Sequence, residues 1–169
     1  PAGGGYCASV NGVAATVTSS NSVSVAWSAP CSGDVVVEYG PQGFSPGTAG
    51  SAGGGTAVAA SGTSAVLSGL VMNTPYDVYV RQDCGGGVYS GNGTAVPFII
   101  VAGENCAVAI DLATESAPLI ASTMGAANDF NSVGCGASGG GDLIYSLTVP
   151  AHATVTFEAL HDYSALVQV

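Results

Sequence analysis

Gly136-Ala137-Ser138-Gly139-Gly140 carries the letters of GxSxG, the turn that lifts a nucleophilic serine out of a sheet. That turn needs a strand before the serine and a helix after it. Here a glycine run leads into a strand, and only His152 and His161 could serve as base. Gly134, Gly136 and Gly139 fit GxGxxG, but no helix N-terminus follows to hold a phosphate. The eleven acids lie along turns and offer no visible pair of convergent carboxylates of the kind glycoside hydrolysis requires. These residue types point away from catalysis, and the chain is expected not to be an enzyme.

Calcium is the one cofactor the sequence suggests. Glu104, Asn128, Asp129 and Asp142, with Asp162 further on, supply hard oxygen ligands,. No EF-hand loop is present, and the same residues serve equally well to cap turns. Asn92-Gly93-Thr94 matches the N-glycosylation sequon,, although a turn is the plainer expectation there. Tyr6, Phe44, Tyr89, Phe130 and Tyr163 fall in or near expected loops, where they could form a sugar-binding platform or simply pack the loops. Trp27, Tyr39, Tyr76, Phe98 and Phe157 fall in expected strands and are candidates for the core. No Arg-Gly-Asp motif occurs.

Charge narrows the partners. Arg81 is the only basic residue among 169, and the net charge is −10. Nucleic acid and anionic membrane surfaces are recognised by clustered Lys and Arg, so both are excluded as partners. Charged residues make up 7% of the chain, against about 25% in an ordinary soluble domain. Hydrophobicity is nonetheless too high for a disordered segment. The longest apolar stretch, Ala95 to Gly103, is far short of the ~20 residues of a helical span, and Pro97 interrupts it, so no membrane insertion is expected. The N-terminus has neither the basic region nor the apolar core of a signal peptide.

The five cysteines stand at 7, 31, 84, 106 and 135. None has CxxC spacing and the chain has two histidines, which argues against zinc and for disulfides formed in an oxidising compartment. An odd number leaves one without a partner inside the chain.

The elements that must carry these residues are strands. Ser22–Ser28, Asp34–Tyr39 and Tyr76–Arg81 each place β-branched or aromatic residues at period two between turn signals. Strands at roughly ten-residue spacing predict an all-β antiparallel sandwich. Thr94 to Val101 is expected to close it, and a boundary is expected near Gly103. After a loop-like stretch, strands are expected at Asp142–Val149, Ala153–Ala159 and Ala165–Val169. The last runs into the C-terminus. A unit of about 65 residues ending in mid-strand leaves an edge unpaired, so the sequence is expected to be a piece of a longer protein.

Residues 8–101 resemble a fibronectin type III module, with 1–7 as linker or the end of a preceding module and the domain taken as 8–102. The resemblance is carried by Trp27, by Val37-Glu38-Tyr39-Gly40 and above all by Leu67 to Val80 (LSGLVMNTPYDVYV). It implies that Leu70 plugs the end of the sandwich and that the Tyr76 hydroxyl ties a corner to the backbone. Glu38 to Phe44 and Tyr79 to Gly85 look like the variant found in large secreted proteins of Bacteroidetes-type bacteria. Residues 103–169 resemble the first part of a bacterial pre-peptidase C-terminal-type jelly roll, through Asn105-Cys106, Asn128-Asp129, Cys135-Gly136, Gly141 to Pro150, Thr154 to Phe157 and His161 to Leu166.

These resemblances imply a pairing of the cysteines. The loop with Cys31 and the loop after Asp83 share a pole of the module, which suggests Cys31–Cys84. Cys7 starts near that pole and competes for Cys84. Cys106–Cys135 would staple the second module, and Cys7 is expected to stay unpaired within the chain.

Fold says little about function here, because such modules act as spacers, scaffolds and binders alike. The leading expectation is a structural segment of a large extracellular or cell-surface bacterial protein, an adhesin or a filament or stalk component. Its partners would be neighbouring modules or copies of the same protein, with surface glycans or proteins as further candidates. A chain with one arginine and no lysine offers trypsin-like proteases almost nothing to cut, which suits a durable exposed fibre. The alternatives are accessory modules of a secreted protease or glycoside hydrolase, or a carbohydrate-binding module using the loop aromatics.

Overall fold

The computed structural model describes residues 7–28, 33–115, 123, 126–127, 141–152, 154 and 156. Seven strands build two antiparallel sheets. β1 (Asn11–Ser19), β2 (Ser22–Ser28) and β5 (Ser64–Ser68) form one, in the order β1-β2-β5. β3 (Asp34–Pro41), β4 (Thr56–Ser61), β6 (Tyr76–Gln82) and β7 (Val96–Phe98) form the other, in the order β4-β3-β6-β7. The all-β expectation holds.

The core follows from alternation. β2 buries Val23, Val25 and Trp27 and turns its serines outward, the period of a strand with one face on a core. Val35 and Val37 of β3 and Val78 and Val80 of β6 meet them from the other sheet, while Leu67 on the neighbouring β5 and Leu70 just beyond it complete the cluster. Trp27 is 4% exposed, and its indole N–H donates to the Gly62 carbonyl at 3.1 Å, so the ring enters the core without an orphaned donor. Tyr76 stacks on Phe98 at 5.4 Å, and its hydroxyl accepts the Val71 N–H at 3.1 Å. Leu70, 5% exposed, packs into the same core.

β7 is shorter than the Thr94–Val101 run suggested. It pairs with β6 on one side only, Asp77 facing Pro97, and such an edge tolerates a residue without an N–H.

The described residues that follow Gly103 directly stay against the sandwich. A 3₁₀ turn at Cys106–Val108, capped by the Asn105 side chain on Ala107 N, inserts Val108 into the core cluster. β8 (Ile110–Asp111) and β9 (Tyr145–Ser146) then pair in parallel, where a jelly roll would be antiparallel. Ile144 donates to Gly103 O and accepts from Ile110 N, so this segment threads along the chain leaving the sandwich. Of the strands expected at Ala153–Ala159 and Ala165–Val169, only residues 154 and 156 lie within the described part.

Candidate functional site: a strapped outer sheet face

β3 and β6 depart from the alternation of β2. Residues 35 to 38 are all buried, and so are 80 to 82. A strand buried on both faces needs a second cover. The inner face is the valine core. The outer face carries Val36, Glu38 and Gly40 beside Arg81, Tyr79 and Asp77, in the register Val36 to Arg81, Glu38 to Tyr79 and Gly40 to Asp77. Its cover is the β3–β4 connection, above all residues 43–55, a run of Gly, Ser, Ala, Thr and Pro around Phe44.

This strap is held by a paired charge. Arg81 and Glu38 are both fully buried, with Nη1 and Oε2 2.8 Å apart. The Glu38 carboxylate also accepts the Gly47 N–H at 2.8 Å and the Gly53 N–H at 2.6 Å. Arg81 donates from Nε to the Ala49 carbonyl, from Nη2 to the Ser51 carbonyl at 2.9 Å and from Nη1 to Asn92 Oδ1 at 3.1 Å. Asn92 in turn donates to the Gly47 carbonyl at 2.8 Å. A buried pair is tolerable only when its remaining donors and acceptors are met, and here the strap's own backbone meets them. Burial alone would raise the Glu38 pKa. The Gly53 N–H, the guanidinium and the Gly47 N–H outweigh burial and hold the carboxyl below its usual range.

The strap's composition is what allows this approach. A Cβ on Gly47 would stand 2.0 Å from the Ser51 carbonyl oxygen, and one on Gly53 2.4 Å from that of Ser45. Ala49 takes a φ of 53°, a left-handed conformation that costs an L-residue roughly 1–2 kcal/mol, and its carbonyl reaches Arg81. At the root, the Asp77 carboxylate accepts the Gly43 N–H at 2.8 Å. Phe44 meets Tyr79 edge-on, ring centroids 5.3 Å apart.

Several expected residues find other duties. Asn92, read as a sequon or turn residue, spends its amide on Arg81 and Gly47. Phe44 pins the strap. Tyr89 packs its hydroxyl on Gly50, and its hydrogen bond to Asp83, with burial second, keeps the phenol above its ordinary pKa. Glu104 accepts the Ala127 N–H at 3.0 and 3.2 Å, and the Asp142 N–H donates to Ala127 O. Asn128 and Asp129 lie outside the described residues, among which no group of three or more His, Cys, Asp or Glu is gathered for a metal. The GxSxG and GxGxxG residues, His161, Tyr6, Phe130, Phe157 and Tyr163 also lie outside.

The cysteine pairing is corrected. Cys7 is bonded to Cys84, with their Cα atoms 5.8 Å apart, so Cys7 is not unpaired and Cys84 is not the partner of Cys31. The reason is the path of the entering chain. Val10 is buried in the core, and its carbonyl and that of Val80 flank Gly93, so the segment before β1 runs beside the end of β6. Cys31 and Cys135 lie outside the described residues. Cys106, the expected partner of Cys135, is exposed with a free thiol.

Sequence reasoning missed the Glu38–Arg81 pair and the strap. The available signal was that the only cation of the chain falls in a strand two positions off the register of an acid. That signal names a pair but not what covers it.

Three strands against four, with β3 hydrogen-bonded to both β4 and β6, is an immunoglobulin-like sandwich of fibronectin type III character. Similar solved structures include the FN1–FN3 domains of chicken CNTN1 (20% identity, 54% of this chain and 30% of that one, TM-score 0.46). Others are the FN5 domain of Drosophila Lar (17%, 58% and 100%, 0.47) and the fn3 domain of the human collagen alpha-1(XX) chain (18%, 59% and 90%, 0.46). No family model and no curated protein matches the chain. Among the described residues, no helix is long and apolar enough to cross a membrane.

Proposed function

We propose that this chain is a non-catalytic structural segment of a large, secreted, multi-module bacterial surface protein, an adhesin or a filament or stalk component. The observation that carries the reading is the place of Arg81. The one residue at which a Lys- or Arg-specific protease could cut is fully buried on a strand paired on both sides and lies under the strap. The remaining surface is acidic and free of lysine and arginine, which favours solubility and gives such proteases no foothold. The Cys7–Cys84 bridge adds covalent closure of the sandwich, in keeping with an oxidising compartment.

In this reading the sandwich is of the Bacteroidetes-type variant, and the partners are neighbouring modules or further copies. The glycan-binding alternative draws less support, since Phe44 and Tyr89 are both engaged in packing the strap. Negative-stain electron microscopy of the native protein tests the proposal. Regular filaments or long beaded stalks are expected. Compact single particles would overturn the fibre role and favour modules serving a catalytic domain elsewhere.

A further inference from the structure

The strap has the construction of a lid, and this goes beyond the structural role without resting on it. We propose that residues 43–55 form a lid latched by the Glu38 carboxylate onto the outer face of the four-stranded sheet, opening as a unit when that carboxylate loses its charge while the sandwich stays folded.

Separation of the two faces carries the inference. The latch and the core lie on opposite sides of β3 and β6. Glu38 and Arg81 point outward, whereas Val35, Val37, Val78 and Val80 point inward. Opening the strap therefore takes no atom from the valine core. It also resolves the difficulty that makes a broken buried pair so costly, an unpaired charge left in a dry site. With the strap lifted, the Arg81 guanidinium stands on an open sheet face in water. The strap itself has little else to hold it. Its backbone is bound to Glu38, Arg81, Asn92 and Asp77, its one large side chain is Phe44, and most of its residues are exposed.

Few titratable groups compete for control. The strap and β4 contain none. On the outer face β3 offers Asp34 at its start and Glu38, β6 offers Asp77, Tyr79 and Arg81, and the following loop offers Tyr89 with Asp83. Only Glu38 accepts two strap amides, from Gly47 and Gly53, and pairs with the cation as well. Its carboxyl is held below the usual range, so the latch is intact above that range and is lost as pH falls through the lowered value. The open state would present the chain's only guanidinium to an otherwise acidic surface.

Amide hydrogen exchange on the full chain tests the lid, because it reads local opening separately from global unfolding. In Glu38→Gln, the Gly47 and Gly53 amides are expected to exchange at least about tenfold faster while the β2 and β6 ladder amides keep their protection. Acidifying the wild-type chain should give the same selective loss, after correction for intrinsic rates. Strap amides that stay protected in Glu38→Gln or at acid pH would overturn the proposal. So would strap and ladder amides that accelerate together. Should Glu38→Gln fail to fold, Asn92→Ala removes one strap anchor and spares the ion pair. Selective acceleration at the strap amides would then support the lid, and uniform or absent acceleration would overturn it.

Discussion

Replacing Cys7 and Cys84 together by serine is expected to destabilise the chain by on the order of 4 kcal/mol. The two residues are 77 apart in sequence, and a cross-link closing a loop of that length removes this much entropy from the unfolded ensemble in the chain-entropy treatment. For a domain of this size the melting temperature should fall by on the order of 15 °C. The bridge also fastens the segment ahead of β1 to the end of β6, so its loss frees Val10 at the mouth of the core. Thermal melts of the double variant read the effect, and the wild-type chain under reductant should match it. Disulfide mapping of the wild-type chain should return a peptide joining Cys7 to Cys84. A peptide joining Cys31 to Cys84 would contradict the pairing.

Trp27→Ala is expected to cost about 3–5 kcal/mol, the range for deleting a buried aromatic side chain. The ring is the largest side chain in a core otherwise made mainly of valine and leucine. Small neighbours have no spare length with which to fill the space, so the cavity would persist rather than collapse. The indole's bond to Gly62 disappears as well, and it fixes the turn between β4 and β5. Urea denaturation of the variant should show a lower midpoint at an unchanged slope. A loss below about 1 kcal/mol would mean that the ring does not fill the core as the structure shows.

The strands that were legible in sequence are those where one physical demand dominates. β2 alternates valine and tryptophan with serine and alanine, and only a half-buried strand does that. The block from Leu67 to Val80 was legible through its resemblance to the corner of a fibronectin type III module, which implies the places of Leu70 and Tyr76. Harder to read were the places where two demands overlap. β3 and β6 carry valines inward and charged or aromatic residues outward, and outward charges on a strand ordinarily mean solvent. Nothing in the composition of residues 42–55 distinguishes a strap from a linker, because the glycines that permit close approach are those that permit flexibility. The short β8–β9 ladder escaped for a different reason. Two residues per strand are too few for a period to show, and their parallel pairing depends on the path of the chain around them. Cysteine pairing failed on a similar point, since it turned on the route of residues 7–10 just ahead of the first strand.

Tryptic digestion of the intact chain, native and unfolded, followed by mass spectrometry, tests most directly the account of a module whose only basic residue is sealed inside it. Cleavage in a central strand requires the population that has opened it, so the native chain should persist at least about a thousandfold longer than the unfolded one. The unfolded chain should yield a single cut, between Arg81 and Gln82. Comparable rates for the two forms would contradict the burial of Arg81 beneath the strap, and with it the surface free of cleavable cations on which the structural role rests.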